Sequence, residues 1–150
     1  MTQTSLNNTI RLLKKYSFIV ILLFAATFLE VYWAMGSFSE KMSSSCLDCS
    51  LAEDICFMSL FTAFSLTVLF RILYFLKNQY VQITIQLLFL IGMWFLWNYS
   101  IFVERESSWS TYDFDEEIHY TLSFSVLPIL VLSCITVFVF QYISKKYEPK

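Results

Sequence analysis

The most reactive side chains in this sequence are its cysteines. Cys46 and Cys49 form a C-x-x-C pair, Cys46-Leu47-Asp48-Cys49, with Cys56 shortly after it and Cys134 standing alone much later. Such a pair can cycle between dithiol and disulfide, hold a soft metal, or staple a loop, and the redox compartment favours one of these. The staple reading joins Cys46 or Cys49 to Cys56. Adding His119 to these three thiols makes a zinc-type donor set. A single histidine at a helix boundary is the plainer reading, and no metal site is expected.

Glu30 is the next informative residue, because it interrupts an apolar run. An ionisable group at membrane depth is costly and faces protein or a wet cavity. Ala26, Glu30 and Ala34 fall on one helical face, so the small residues that favour close helix packing carry the carboxylate inward. Asn98, Ser59 and Thr62 are partners at similar depth. The group can act as a proton or cation site, or as a hydrogen-bonded pin that fixes helix register. Arg71 stands near the end of its apolar run, where a long side chain snorkels to the headgroups. Gln82 and Gln86 lie one turn apart near the same end. Ser59, Ala63 and Thr67 form a second small-residue seam, and Pro128 should bend its helix.

The elements that position these groups follow from hydropathy. Of the 150 residues, 57% are hydrophobic and only 15% charged, against about 25% charged in an ordinary soluble domain. The apolar residues fall into four blocks, 17–36, 55–76, 81–103 and 118–143, each long enough for a helix to cross about 30 Å of hydrocarbon. In lipid such continuous runs must satisfy their backbone internally, and they lack the alternation of barrel strands. The sequence therefore predicts an all-α membrane protein, an antiparallel four-helix transmembrane bundle in a single domain. The first block is expected to be a helix rather than a cleaved leader, since it is long for a leader and lacks a clear A-x-A site. The very short turn at 77–80 makes helices two and three a hairpin.

Orientation follows from the charges. With both termini inside, Arg11, Lys14, Lys15, Arg71, Lys77, Lys145, Lys146 and Lys150 are cytoplasmic, and only Lys41 and Arg105 lie outside. Tyr16, Tyr74, Tyr80, Tyr142 and Tyr147 then mark the inner boundary, and Tyr32, Trp33, Trp97, Trp109 and Tyr120 the outer one. The outer loops, 37–54 and 104–117, hold ten acids: Glu40, Asp48, Glu53, Asp54, Glu104, Glu106, Asp113, Asp115, Glu116 and Glu117. A surface of that charge attracts cations and basic proteins. Asp115, Glu116 and Glu117 also precede the fourth helix, where carboxylates suit its dipole. No basic stripe with interleaved aromatics points to nucleic acid.

Four helices with Cys46-Leu47-Asp48-Cys49 ahead of the second one resemble the DsbB family of quinone-linked thiol oxidases. That resemblance implies thiol oxidation at Cys46 and Cys49. Two parts of the pattern are missing: a second cysteine pair in the second outer loop, and an arginine soon after the C-x-x-C, the next base here being Arg71 at the opposite face. Vitamin K epoxide reductase relatives carry a C-x-x-C in a late helix, where this chain has Cys134 alone. In size and topology the chain is also similar to immunity proteins against pore-forming toxins, to membrane subunits of anti-phage systems such as Kiwa, and to accessory subunits of envelope complexes.

The leading expectation is a non-enzymatic multi-pass protein of the cell membrane, most simply a bacterial inner membrane, acting through a protein partner and without a cofactor. Self-association is compatible with it. The alternatives are an oligomeric cation channel or transport component, and a thiol oxidoreductase using Cys46 and Cys49.

Overall fold

The computed structural model describes residues 3–73, 75 and 78–146. Tyr74, Lys77, Tyr147 and Lys150, which contribute to the charge and aromatic pattern, and Leu76, which ends the second apolar block, lie outside the described residues. Four long helices account for nearly all of the rest: α1 (Gln3–Met35), α2 (Leu51–Leu73), α3 (Gln79–Arg105) and α4 (Phe114–Lys146). Each is long and apolar enough to cross a membrane. Two short 3₁₀ turns, Gly36–Phe38 and Ser107–Trp109, follow α1 and α3. No strand occurs among the described residues.

Helix ends differ from the hydropathy blocks because polar turns continue past the apolar runs. Ser50 and Glu53 form a capping box: the Glu53 carboxylate accepts from the Ser50 backbone N–H at 2.9 Å, and the Ser50 hydroxyl accepts from the Glu53 N–H at 3.3 Å. This starts α2 at Leu51 instead of 55. The Asn78 side chain accepts from the Tyr80 N–H at 3.0 Å and starts α3. At α4 the Glu116 carboxylate reaches back to the Asp113 N–H at 3.2 Å, so Asp115, Glu116 and Glu117 are the first turn of a helix and not a loop. Glu104 and Arg105 likewise end α3. The connections shrink to 36–50 and 106–113.

α1 packs against both α2 and α4, α3 packs chiefly on α4, and all four helices share one interior. That interior is layered. One apolar cluster gathers Ile19, Leu23, Leu66, Phe70, Leu90, Trp94, Ile129 and Phe140, with the Phe70 and Phe140 rings edge to face at 5.1 Å. The other gathers Val31, Met35, Phe38, Leu51, Ile55, Ile101 and Phe102, and Phe38 meets Phe102 and Phe124 edge-on at 5.8 and 5.5 Å. We call the second the loop end, since both connections cover it, and the first the tail end.

The outward faces are equally apolar. Leu29, Phe61, Phe64, Val68, Leu88, Leu96, Leu127 and Phe138 are all largely exposed. Exposed greasy side chains on every helix are what a bilayer solvates and water does not. Pro128 sits inside α4 without ending it, its ring buried against the bundle.

Candidate functional site

Between the two apolar clusters lies a polar layer. Thr27 and Glu30 of α1, Ser59 and Thr62 of α2, and Asn98 of α3 are all fully buried, each flanked along its helix by members of both clusters. Thr121 and Ser125 of α4 are buried at the loop-end side of Ile129. Ala26, Glu30 and Ala34 form one inward face, as do Ser59 and Ala63. This is how the small-residue stripes deliver polar atoms to the interior.

The layer is stitched across helices. The Asn98 amide donates to Glu30 Oε1 at 2.8 Å, joining α3 to α1. The Trp94 indole donates to the Thr27 hydroxyl at 2.9 Å, again α3 to α1. The Trp97 indole donates to Thr62 Oγ1 at 2.7 Å, joining α3 to α2, while Thr62 passes its own proton to the Met58 carbonyl at 2.8 Å. Every buried indole proton thus has an acceptor, as burial demands. Glu30 Oε2, Asn98 Oδ1 and the hydroxyls of Ser59, Thr121 and Ser125 have no partner among the described residues. A buried network that is only partly satisfied is energetically sensitive, and unpaired acceptors and hydroxyls of this kind can receive a proton or a polar group.

A second constellation closes the loop end, and Arg105 is its centre. The charge pattern alone places this residue among solvated loop bases. It is instead 2% exposed, and its guanidinium donates to the Lys41 carbonyl at 2.6 Å, the Cys49 carbonyl at 3.1 Å and the Asp54 carboxylate at 2.6 Å. One side chain therefore ties the end of α3 to both halves of the first connection and to the first turn of α2. Around it, Ser44 donates its backbone N–H to the Glu104 carbonyl at 2.9 Å, and Ser43 and Ser45 donate hydroxyls to the Glu104 carboxylate at 3.2 and 2.9 Å. The Trp109 indole donates to the Met42 carbonyl at 3.0 Å, and Lys41 pairs with Glu106. Glu117 accepts from Tyr99 at 2.8 Å and from Ser107.

Cys46 and Cys49 are joined to each other in a disulfide, their Cα atoms 5.4 Å apart. Cys56 is free, which corrects its pairing with either of them. The physical reason is local. A turn that brings the Cys49 N–H to the Cys46 carbonyl at 3.3 Å closes the C-x-x-C on itself. The Ser50 cap then carries Cys56 down into α2. Cys134 is exposed on α4. His119 is exposed near the start of α4 with its ring 6.1 Å from that of Tyr120, and among the described residues no three His, Cys, Asp or Glu side chains gather as metal donors.

The other residues singled out from sequence separate into two places. Arg71 is at the tail end with its guanidinium 5.3 Å from the Tyr16 ring, far along the bundle from Glu30 and Asn98. Gln86 accepts from the Gln141 amide at 3.1 Å, and Gln82 lies nearer Arg71. Asp113, Asp115 and Glu116 are exposed at the loop end with Glu40 and Asp48. Several other acids are spent within the cap: Asp54 on Arg105, Glu106 on Lys41, Glu104 on serines and Glu117 on Tyr99. The residue that sequence reasoning missed is Arg105, whose only signal is that it is the single base among the acids of 104–117.

Compared with protein-family models, curated proteins and solved structures, the chain matches none. The likeness to quinone-linked thiol oxidases rests on residues 46–49 and the helix count.

Proposed function

We propose that the chain crosses a cell membrane as an antiparallel four-helix bundle with both termini cytoplasmic, and that it works through a protein partner received on the outer cap. The observation that carries this reading is the construction of the cap. Arg105, the Cys46–Cys49 disulfide and the serine bonds to Glu104 hold two short connections in one arrangement. From that fixed base Met42, Leu47 and Trp109 expose most of their apolar surface. At the same end Glu40, Asp48, Asp113 and Asp115 are exposed. A preorganised apolar patch rimmed by one sign of charge supports docking of a basic protein surface, since little ordering entropy is lost on binding and charge speeds encounter.

The placement of basic residues supports the orientation, because those outside the cap concentrate at the tail end and in the tails. In this reading the chain is a sensor or anchor subunit of a defence or envelope complex, or an immunity protein, in a bacterial inner membrane. Glu30 and Asn98 serve as the register pin that keeps the cap aligned over the helices.

Photo-crosslinking residues placed at Met42 and Leu47 in native membranes test the proposal, with the lipid-facing Phe64 as control. A discrete protein adduct is expected from the two cap positions and not from Phe64, and Asp48→Lys with Asp113→Lys should weaken it. An adduct of twice the chain's own mass would make the partner a second copy. Only lipid adducts at all three positions would remove the partner reading.

A further inference from the structure

At the tail end, residues of all four helices line a cleft of about 250 Å³ that the cap and the polar layer do not explain. Its mouth holds two cations from different helices, Lys15 of α1 and Arg71 of α2, with Gln82 of α3 and Ser144 of α4 beside them. Its walls are apolar and include the buried, edge-to-face rings of Phe70 and Phe140. Among the described residues, no carboxylate lines it. Every acidic residue among the described ones falls between positions 30 and 54 or between 104 and 117, from the polar layer toward the loop end.

Three features of this cleft specify a ligand chemistry. First, a guanidinium presents paired N–H donors that match phosphate oxygens two at a time, and an ammonium adds an adaptable point charge. The Tyr16 ring, 5.3 Å from the Arg71 guanidinium, helps hold that fork in place through a cation–π contact. Second, the Gln82 amide and the Ser144 hydroxyl in the lining can donate to ester oxygens, which accept hydrogen bonds. Third, the apolar walls belong to the membrane-crossing segments Ile10–Phe38, Leu51–Leu73 and Phe114–Lys146. A free anion has no use for such walls, whereas a molecule with a charged head and an acyl chain fills both regions. Basic clefts between transmembrane helices near a membrane surface are a recurrent way to hold acidic headgroups.

We propose that this cleft binds one anionic glycerophospholipid, its phosphate between Lys15 and Arg71 and the start of an acyl chain against Phe70 and Phe140. The leaflet is the one at the tail end, which is cytoplasmic under the topology proposed above; the binding chemistry does not depend on that topology.

The experiment is native mass spectrometry of the purified full chain in detergent, titrated with phosphatidylglycerol, with phosphatidylcholine, and with inorganic phosphate as competitor. One phosphatidylglycerol should bind in preference to phosphatidylcholine, and millimolar phosphate should leave it in place. Arg71→Gln and Lys15→Gln should each weaken binding about fivefold, since a cation near the membrane surface contributes about that factor. Lys14→Gln, an equal loss of charge at an exposed neighbour outside the cleft, should not. If Arg71→Gln fails to elute as a folded species, Lys15→Gln and the charge-preserving Arg71→Lys carry the test, the latter expected to bind less than wild type. Equal losses from Lys14→Gln and the cleft variants would reduce the effect to general electrostatics and overturn the site. Equal binding of phosphatidylcholine, or displacement by inorganic phosphate, would overturn the lipid assignment.

Discussion

Two buried places, one at Arg105 and one at Glu30 and Asn98, concentrate the internal polar energetics of this protein. Arg105 is a buried cation whose guanidinium serves two carbonyls and one carboxylate. Removing it leaves Asp54, only 23% exposed, without its ion partner and two carbonyls without a donor. Arg105→Ala should therefore destabilise the chain by about 3 kcal/mol, the low end of the scale for breaking a buried ion pair because Asp54 keeps some exposure. It should also open residues 39–50 to proteolysis. Arg105→Lys keeps the charge but not the fork, and should recover only part of the loss. Unfolding in mixed micelles with limited proteolysis checks both, and a wild-type pattern from Arg105→Ala would show that the clasp is incidental. Glu30 and Asn98 make a different case, because both are fully buried at the junction of two apolar clusters. Interhelical hydrogen bonds in membranes measure about 0.6 kcal/mol on average and up to about 1.7. A double-mutant cycle with Glu30→Leu and Asn98→Leu should return a coupling of about 1 kcal/mol, the double variant being less destabilised than the two singles together. Strict additivity would mean that the 2.8 Å bond contributes nothing to the fold.

Helix ends, more than helix middles, shape the functional surface. α2 begins early because Ser50 and Glu53 satisfy its first backbone donors, and that early start places Asp54 where Arg105 can grip it. Ser50→Ala should cost about 1 kcal/mol as a lost N-cap. It should also speed amide exchange across 51–54 and not across the middle of α2. Uniform acceleration, or none, would count against a local cap. The four helices were legible in the sequence, since about twenty apolar residues in a row have few alternatives in lipid. Their ends were not, because hydropathy registers the lipid-facing stretch and passes over polar turns such as Asp113 to Glu117 or the close of α3 at Arg105. The depth of Glu30 and the inward turn of the Ala26, Glu30, Ala34 face could be read from helical spacing. Burial of Arg105 could not, because its acceptors come from Lys41, Cys49 and Asp54, brought together only when the first connection folds over α3. The disulfide was half legible. The sequence located the reactive pair, but only the turn at Cys46 to Cys49 determines that it closes on itself and leaves Cys56 free.

The whole molecule has two unlike ends separated by a polar belt, and the difference is the basis of the orientation proposed for it. At one end acids prevail and the two bases, Lys41 and Arg105, are both tied into ion pairs. At the other, Lys14, Lys15, Arg71, Lys145 and Lys146 have a single acid, Glu148, near them in sequence. Inserting the bundle the other way would require carrying the basic end across the bilayer, which the insertion bias of Lys and Arg opposes. Thr111 at the loop end and Lys146 at the tail end are both exposed, so each can report its side. In a chain whose own cysteines are replaced by serine, a membrane-impermeant maleimide applied to intact cells should label Thr111→Cys at once and Lys146→Cys only after lysis. The reverse pattern would invert the proposed topology and move the cap, the proposed partner-binding surface, to the cytoplasm. Labelling of both positions from outside would be incompatible with any arrangement in which α4 crosses the bilayer, and the polar belt at Glu30 and Asn98 would then have no membrane to span.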